Sequence, residues 1–488
     1  MSRDRSASSL PVFASVLDAL TVVVASLGLL LEITGGPRFH IFGVLVSLRG
    51  GTRLLALAAL LAAVRHVAVR QQPLHGRLAA LFRRISPTPF LRHVLPSFIV
   101  TRLSVLLVGY VAALLIAFPV SLEVPRLQGT DEVSALTARW DAIWLHDVAL
   151  QGYRAQAAPD AQANIAFFPA YPLLMRWVSY LVGGRLMVAG LLVSLAAFLG
   201  ALTYLFAFAR QRMDEERAGA AVLLLASYPF SVYYGAVYTE SLFLLAALGA
   251  LYHASRRELV RSGAWALVAG LTRPNGCLLS IVLAALALEG VIAARTGERW
   301  RWLSWDAGRQ VRARTSSMYP RLQRLPLLVV AFMPIAGMLL FSAYVSRLTG
   351  DPFAWMRVQE AWGRHFDAAA GLASGPFRNL VEYGVLSSIR AMPAETLNSL
   401  AAAFAVAAIW PVWRRFGLAM ALFVVLNLGA PLAVGGVMAI GRYTCVLFPI
   451  FLWLGATVPA LRRPLWVGAF AAGQALIAVL FFTWRPLF

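Results

Sequence analysis

RLMVAGLLVSLAAFLGALTYLFAFARQR, residues 185–212, is the stretch whose reading decides the fold. From Leu186 to Phe208 it carries no charge, and Arg185, Arg210 and Arg212 bracket it. A helix rises about 1.5 Å per residue, so about twenty such residues cross a hydrocarbon core roughly 30 Å thick. Lipid offers the backbone no hydrogen-bond partners, so the run must satisfy its own groups as a helix. Comparable runs recur throughout the 488 residues, which are 60% hydrophobic and only 13% charged. A soluble domain carries about a quarter charged residues. The period-two alternation of a membrane barrel is absent. The expected fold is an all-α polytopic membrane protein with no sizeable soluble domain.

The formal net charge of +21 comes with 43 basic residues, every one an arginine. They lie between apolar runs instead of forming one patch, so the pattern reads as the positive-inside rule. No nucleic-acid partner is expected. Arg210, Arg212 and Arg217 then place the C-terminal end of the 185–208 span at the cytoplasmic face. Working back from it, Phe167 to Leu181 is apolar but short, and Pro169 and Pro172 break its start, which predicts an interfacial helix. Residues 119–182 form the first outer loop, which carries Glu123, Asp131, Glu132, Asp141, Asp147 and Asp160. A helix over residues 95–118 precedes that loop, after an arginine-rich cytoplasmic stretch from Arg65 to Arg92. Helices over residues 10–31 and 53–69, with a short extended element from Phe39 to Leu48 between them, complete an N-terminal unit of residues 1–93. The first run is too long for a signal-peptide core and lacks a clear cleavage site, so it reads as a span.

Working forward, residues 218–233 lead out and residues 239–253 lead back to Arg256, Arg257 and Arg261. Two shorter helices flank Thr272-Arg273-Pro274-Asn275-Gly276, with the tip of this hairpin toward the outside. Arg295 to Arg324 is the most basic loop, and residues 325–345 lead to a second outer loop over 348–395. Four helices finish the chain and turn at Arg414-Arg415, near Arg442 and at Arg462-Arg463. The count is about thirteen crossings, with each strong arginine cluster inside. Cys277 and Cys445 lie in apolar stretches and offer neither a disulfide framework nor zinc spacing.

On this topology the unusual polar residues gather at the outer face. Asp141, Glu240, Arg273 and Arg442 fall at outer helix ends or in the first outer loop. Ionisable groups at membrane depth are costly and default to functional candidates. A carboxylate among arginines suits a general base facing an anionic substrate. Asp141 falls in the first turn of an interfacial helix with Trp140, Trp144 and Val148 on one face, and it also fits a simple helix-capping role. Glu240 opens a helix and fits a cap equally well. Arg273 sits between two half-helices, where an arginine matches a phosphate or snorkels to the interface. Arg442 is similar. His146 and Asp147 read as surface residues, and Asp18 as a residue facing the bundle interior.

Several strings occur in a fixed order: Arg139-Trp140-Asp141 with Gln151-Gly152-Tyr153; Phe167-Phe168-Pro169-Ala170-Tyr171-Pro172; Tyr228-Pro229-Phe230-Ser231 with Tyr238-Thr239-Glu240-Ser241; Leu271-Thr272-Arg273-Pro274-Asn275-Gly276; and Gly441-Arg442-Tyr443. This ordered set resembles the PIG-V-type mannosyltransferases of the GT-C superfamily of membrane glycosyltransferases. The likeness runs from about Leu95 to the C terminus and leaves the first two helices outside it. It implies a GT-C-like membrane domain over 94–488. The implied reaction is inverting transfer of a sugar, mannose in the family, from a polyprenyl-phosphate carrier to an acceptor hydroxyl on a glycan, lipid or protein. Asp141 matches the catalytic acid, which would deprotonate that hydroxyl. Arg273 and Arg442 would bind the leaving phosphate. Arg139, Trp140, Tyr171, Tyr238, Glu240, Asn275 and Tyr443 would line the pocket. No metal and no further cofactor are expected. The implied setting is the plasma membrane of a bacterium, with the active site on the outer side. A multi-pass transporter or lipid flippase is the rival reading, but it favours repeated halves and a midplane site, and no repeat is evident.

Overall fold

A computed structural model describes residues 12–34, 38–41, 44–47, 51–69, 88–116, 118–119, 136–155, 161–296, 325–364 and 376–487. These are almost entirely helical. The exception is a two-stranded antiparallel hairpin, Arg38–Ile41 against Val44–Ser47, with Phe39 opposite Val46. It occupies the segment expected to be extended, apart from Leu48, which lies outside the described residues.

Among the described residues, five helices are long and apolar enough to cross a membrane: Phe90–Leu115, Leu186–Arg210, Val329–Thr349, Pro393–Phe416 and Ala460–Phe482. Shorter apolar helices such as Leu259–Thr272, Leu418–Val434 and Phe448–Thr457 pack among them. The residues expected to run straight from 218 to 233 do not do so. The Glu215–Ser227 helix turns by 80° into a 3-10 segment, Pro229–Gly235.

Proline chemistry accounts for that bend. Pro229 has no N–H to offer and cannot continue the ladder. A broken helix at this depth leaves carbonyls that water cannot reach. Side chains take them over. Ser231 Oγ donates to the Leu225 carbonyl at 2.5 Å, Arg102 donates to the carbonyls of Ala226 and Ser231 at 3.0 and 2.6 Å, and Gln474 donates to those of Ala226 and Tyr228 at 2.9 and 3.1 Å. Arg102 is therefore a buried structural arginine. Its guanidinium also lies 4.8 Å from the centre of the Phe198 ring.

A second close contact fixes the joint that carries Arg273. The Leu259–Thr272 and Leu325–Thr349 helices meet at Gly270 and Gly337. A Cβ on Gly270 would overlap the Pro334 carbonyl, and one on Gly337 would crowd the Leu267 carbonyl. Small residues let membrane helices approach to backbone contact in this way.

The N-terminal helices, Val12–Thr34 and Gly51–Ala68, pack on each other. Asp18 pairs with Arg65 at 2.8 Å inside this hairpin, both nearly inaccessible. Asp18 thus faces an interior, as expected, and that interior belongs to the hairpin.

Candidate active site

Four breaks in helical structure bring Asp141, Glu240, Arg273 and Arg442 together. Asp141 is the first residue of the Asp141–Gln151 helix, preceded by Trp140 in a left-handed conformation (φ 51°). Glu240 opens the Glu240–Ser255 helix. Arg273 is extended (φ −154°, ψ 153°) between the Leu259–Thr272 helix and a 3-10 turn, Pro274–Leu278. Arg442 belongs to a six-residue helix, Ile440–Cys445, that the sequence reading did not anticipate. Helix ends free side chains from the ladder and leave them convergent.

Neither carboxylate caps its helix through the side chain. Asp141 Oδ2 instead accepts a hydrogen bond from Arg442 Nη1. Glu240 Oε1 lies 3.2 Å from Arg442 Nε and 3.4 Å from Arg273 Nη1. Glu240 thus sits between the two guanidiniums, and its side chain is fully buried. An anion so desolvated needs opposite charge beside it, and the two arginines supply that charge. The Asp141 side chain is different, with 32% of its surface exposed.

The Glu240 ion pairs are close in distance but not aligned as hydrogen bonds. Among the described residues, Arg273 Nη1 and Arg442 Nε are buried donors without an acceptor in hydrogen-bond geometry. Both atoms face Glu240 Oε1 at ion-pair distance, and neither Glu240 oxygen completes a hydrogen bond either, so the cluster is held by charge more than by hydrogen-bond geometry. Tyr443 lies between them, with the Arg273 and Arg442 guanidiniums 4.8 and 5.4 Å from its ring centre. Arg364, from the second outer loop, donates to the Tyr443 hydroxyl at 3.4 Å. Sequence reasoning missed Arg364 because nothing nearby in the chain signals that its loop folds back over the site.

The remaining candidates divide by where their polar atoms go. The Tyr238 hydroxyl accepts from the Asp141 N–H at 3.3 Å and donates to the Arg139 carbonyl at 3.2 Å, which fixes the entry to the helix. Arg442 also lies 5.5 Å from the Tyr238 ring centre. The Arg139 guanidinium points away from the carboxylates. It donates to the Phe482 carbonyl at 3.0 Å and lies 4.9 Å from the Trp484 ring centre. Trp140 packs edge-on against Trp484 at 5.1 Å. Because Trp140 precedes the helix, it does not continue the face of Trp144, and both indoles serve as contacts inside the protein. The Tyr171 hydroxyl is held by the Gly190 carbonyl and Ser194 Oγ at 2.8 and 2.7 Å. Asn275 donates to Asn427 Oδ1 at 2.9 Å. Asp147 accepts from Arg154 and Asn164 and so ties down the first outer loop.

Other residues, none of them among the expected site residues, hold Arg442 in place. Asn398 accepts from the Gly441 N–H at 2.7 Å and donates to the Leu487 carbonyl at 2.9 Å. Tyr228 shares a hydrogen bond with Thr444 at 2.8 Å, and Tyr234 donates to the Cys445 carbonyl at 2.7 Å. A Cβ on Gly441 would overlap the Phe230 ring. The Tyr228-Pro229-Phe230-Ser231 string is therefore the seat on which Gly441-Arg442-Tyr443 rests. No group of three or more His, Cys, Asp or Glu side chains suited to a metal ion occurs among the described residues.

Among curated proteins, none matches the chain. Similar solved structures include an archaeal oligosaccharyltransferase AglB from Archaeoglobus fulgidus, in complex with an inhibitory peptide and a dolichol-phosphate, at 11% identity and a TM-score of 0.37 over 79% of this chain and 56% of that one. The Archaeoglobus fulgidus oligosaccharyltransferase in complex with Zn and sulfate is similar at 13% identity and a TM-score of 0.36, over 78% of this chain and 53% of that one. The chain thus spans about half the length of these proteins. Residues 94–292 match the family model Mannosyltransferase (PIG-V). That stretch contains Asp141, Glu240 and Arg273, so three of the four converging side chains lie where the chain is similar to the PIG-V mannosyltransferases.

Proposed function

We propose that this chain, a membrane glycosyltransferase by its likeness to that family, moves mannose from a polyprenyl-phosphate carrier to an acceptor hydroxyl, with inversion at the sugar C1. The reading places the site on the membrane face away from the arginine-rich loops, which is the outer face of a plasma membrane. The observation that supports it is the convergence of Arg273 and Arg442 on buried Glu240 beside Asp141, a carboxylate with about a third of its surface open.

Exposure assigns the acids. Asp141 is open to an entering acceptor, whereas Glu240 is sealed. Asp141 takes the hydroxyl proton as general base. The acceptor oxygen then bonds to C1 as the C1–O bond to phosphate breaks on the opposite side. The polyprenyl phosphate leaves with the bonding electrons, and the added negative charge falls to Arg273 and Arg442. Arg364 adds a third guanidinium from above. The three arginines exceed the two carboxylates by one positive charge, which matches a phosphodiester. A carboxylate held by Arg442 is a poor base, so the donor phosphate must draw Arg442 from Asp141 before transfer. Glu240 keeps both guanidiniums in reach during that exchange. Asn275, Tyr171, Arg139 and Trp140 support the walls at one remove.

The chemistry asks for no metal. Purified protein given polyprenyl-phosphate mannose and a glycolipid acceptor should transfer sugar equally well with and without EDTA. Loss of transfer in EDTA, restored by a divalent ion, would overturn the metal-free mechanism. Lipid scrambling in proteoliposomes, with no transfer from any polyprenyl-phosphate sugar, would replace the enzyme reading with a flippase.

A further inference from the structure

A cavity lies at the other end of the bundle from Asp141. The Leu186–Arg210 helix has 25 residues, about 37 Å at 1.5 Å per residue. Gly190, near its start, is packed by Val237, three residues before Glu240. Its far end leads through a short turn to Asp214, which caps the Glu215–Ser227 helix. At that level the Leu95–Leu115 helix begins after a π turn over Phe90–Val94, and the Arg463–Phe482 helix begins as well. Between these three helix starts is a cavity of about 350 Å³, above the roughly 300 Å³ at which ligand pockets begin.

Its lining is two-sided. Arg92, His93, Glu216 and Arg463 supply its charged and titratable lining, and Val100, Ala220 and Leu223 its apolar lining; His93, like Arg92, pairs with Glu215. Val100 is 61% exposed, so the apolar lining runs out onto the lipid-facing side of the Leu95–Leu115 helix. Arg92 donates to Glu215 at 2.6 Å while its side chain stays half exposed. Arg463 donates through Nε to the Val458 carbonyl at 3.4 Å, and neither it nor Glu216 forms an ion pair among the described residues. Basic pockets between membrane helices hold lipid phosphates. Here the acidic partner in the lining narrows the choice. A purely anionic headgroup would meet the Glu216 carboxylate, and a free phosphate would leave the apolar lining uncovered.

We propose that this groove binds one zwitterionic aminophospholipid, with its phosphate at Arg463 and Arg92, its ammonium at Glu216 and the start of an acyl chain along Val100 and Leu223. The site is independent of the sugar-transfer reading. The full chain, stripped of lipid in detergent, is titrated with dioleoylphosphatidylethanolamine, dioleoylphosphatidylglycerol or inorganic phosphate, and bound species are counted by native mass spectrometry. The expected result is one phosphatidylethanolamine retained at about tenfold lower concentration than phosphatidylglycerol, and no phosphate adduct. Arg463→Gln should lose most of that adduct. Glu216→Gln should keep lipid binding but erase the preference for the amine. Equal or tighter binding of phosphatidylglycerol to the unaltered protein, or a phosphatidylethanolamine adduct unchanged in both variants, would overturn the proposal.

Discussion

Asp141 and Arg442 are separated by 301 positions yet share a hydrogen bond, and Glu240 anchors Arg442 from a third part of the chain. Each residue has a separable task, which kinetics and stability can read apart. Asp141→Asn keeps the shape but removes the base, so the transfer rate should fall by about 10²- to 10⁴-fold, with the melting temperature of the purified protein nearly unchanged. A variant retaining full transfer would take Asp141 out of the mechanism. Glu240→Gln leaves two buried guanidiniums facing a neutral amide. Breaking a buried pair in this way costs about 3–5 kcal/mol, so this substitution should lower thermal stability clearly as well as impair transfer. The sequence alone left both acids equally readable as helix caps. Their side-chain partners settle that ambiguity, and those partners come from distant segments.

At the scale of elements, joints matter more than helices. Asn398 holds the start of the Ile440–Cys445 helix and the chain end near Leu487 with one side chain. Asn398→Ala leaves both buried groups without a partner, at about 1–3 kcal/mol each. It should weaken donor affinity through Arg442, visible as a raised KM with a smaller change in kcat. A second joint links the Glu240–Ser255 and Leu259–Thr272 helices. There Glu258 accepts from Arg256, His253 and Arg261 at 2.9, 2.6 and 3.1 Å. Hydrogen bonding from Arg256 first, then His253, brings the Glu258 carboxyl down to about 2. An unfolded glutamate titrates near about 4.3. A depressed folded pKa stabilises above the unfolded value and loses that contribution as pH falls toward about 2. Thermal unfolding followed from pH 6 down to pH 3 should therefore show a smaller acid loss in Glu258→Gln than in the unaltered protein, and identical slopes would remove the turn from the acid response. Helix positions were largely legible from apolar runs. The bend at Pro229 was not, because its carbonyls are satisfied by Arg102 and Gln474, which lie far away along the chain.

For the molecule as a whole, aromatic contacts tie residues 144–168 to residues 355–362. Trp144 from the first stacks on Phe167 and meets Trp362 of the second edge-on, with centroids 6.0 and 5.6 Å apart. Trp355 packs on Phe168 at 5.1 Å and donates to Ser342 Oγ at 2.9 Å. This clasp delivers Arg364 to Tyr443. Aromatic pairs of this kind contribute about 0.5–1.5 kcal/mol beyond their buried area. Trp362→Ala should thus cost little stability but raise the KM for the donor several-fold, and Arg364→Gln should reproduce the kinetic effect with the clasp intact. If Trp362→Ala changes stability alone, the clasp has no part in donor binding.

The sequence by itself determined the solvent and most of the long helices, though not the breaks between them. Apolar runs that lipid forces into helices, and arginines sorted to one side, are local properties that composition and spacing record. It also pointed to Asp141, Glu240, Arg273 and Arg442 as worth watching, since charge at membrane depth is expensive wherever it occurs. Only the tertiary structure decided that these four meet, that Arg139 and Tyr171 spend their polar atoms on packing, and that Arg364 and Asn398 belong to the same centre. The physical reason is that partnership between charges depends on distance through space. That distance is set where helices break and helix packing turns their ends toward one another, and no periodicity along the chain encodes it.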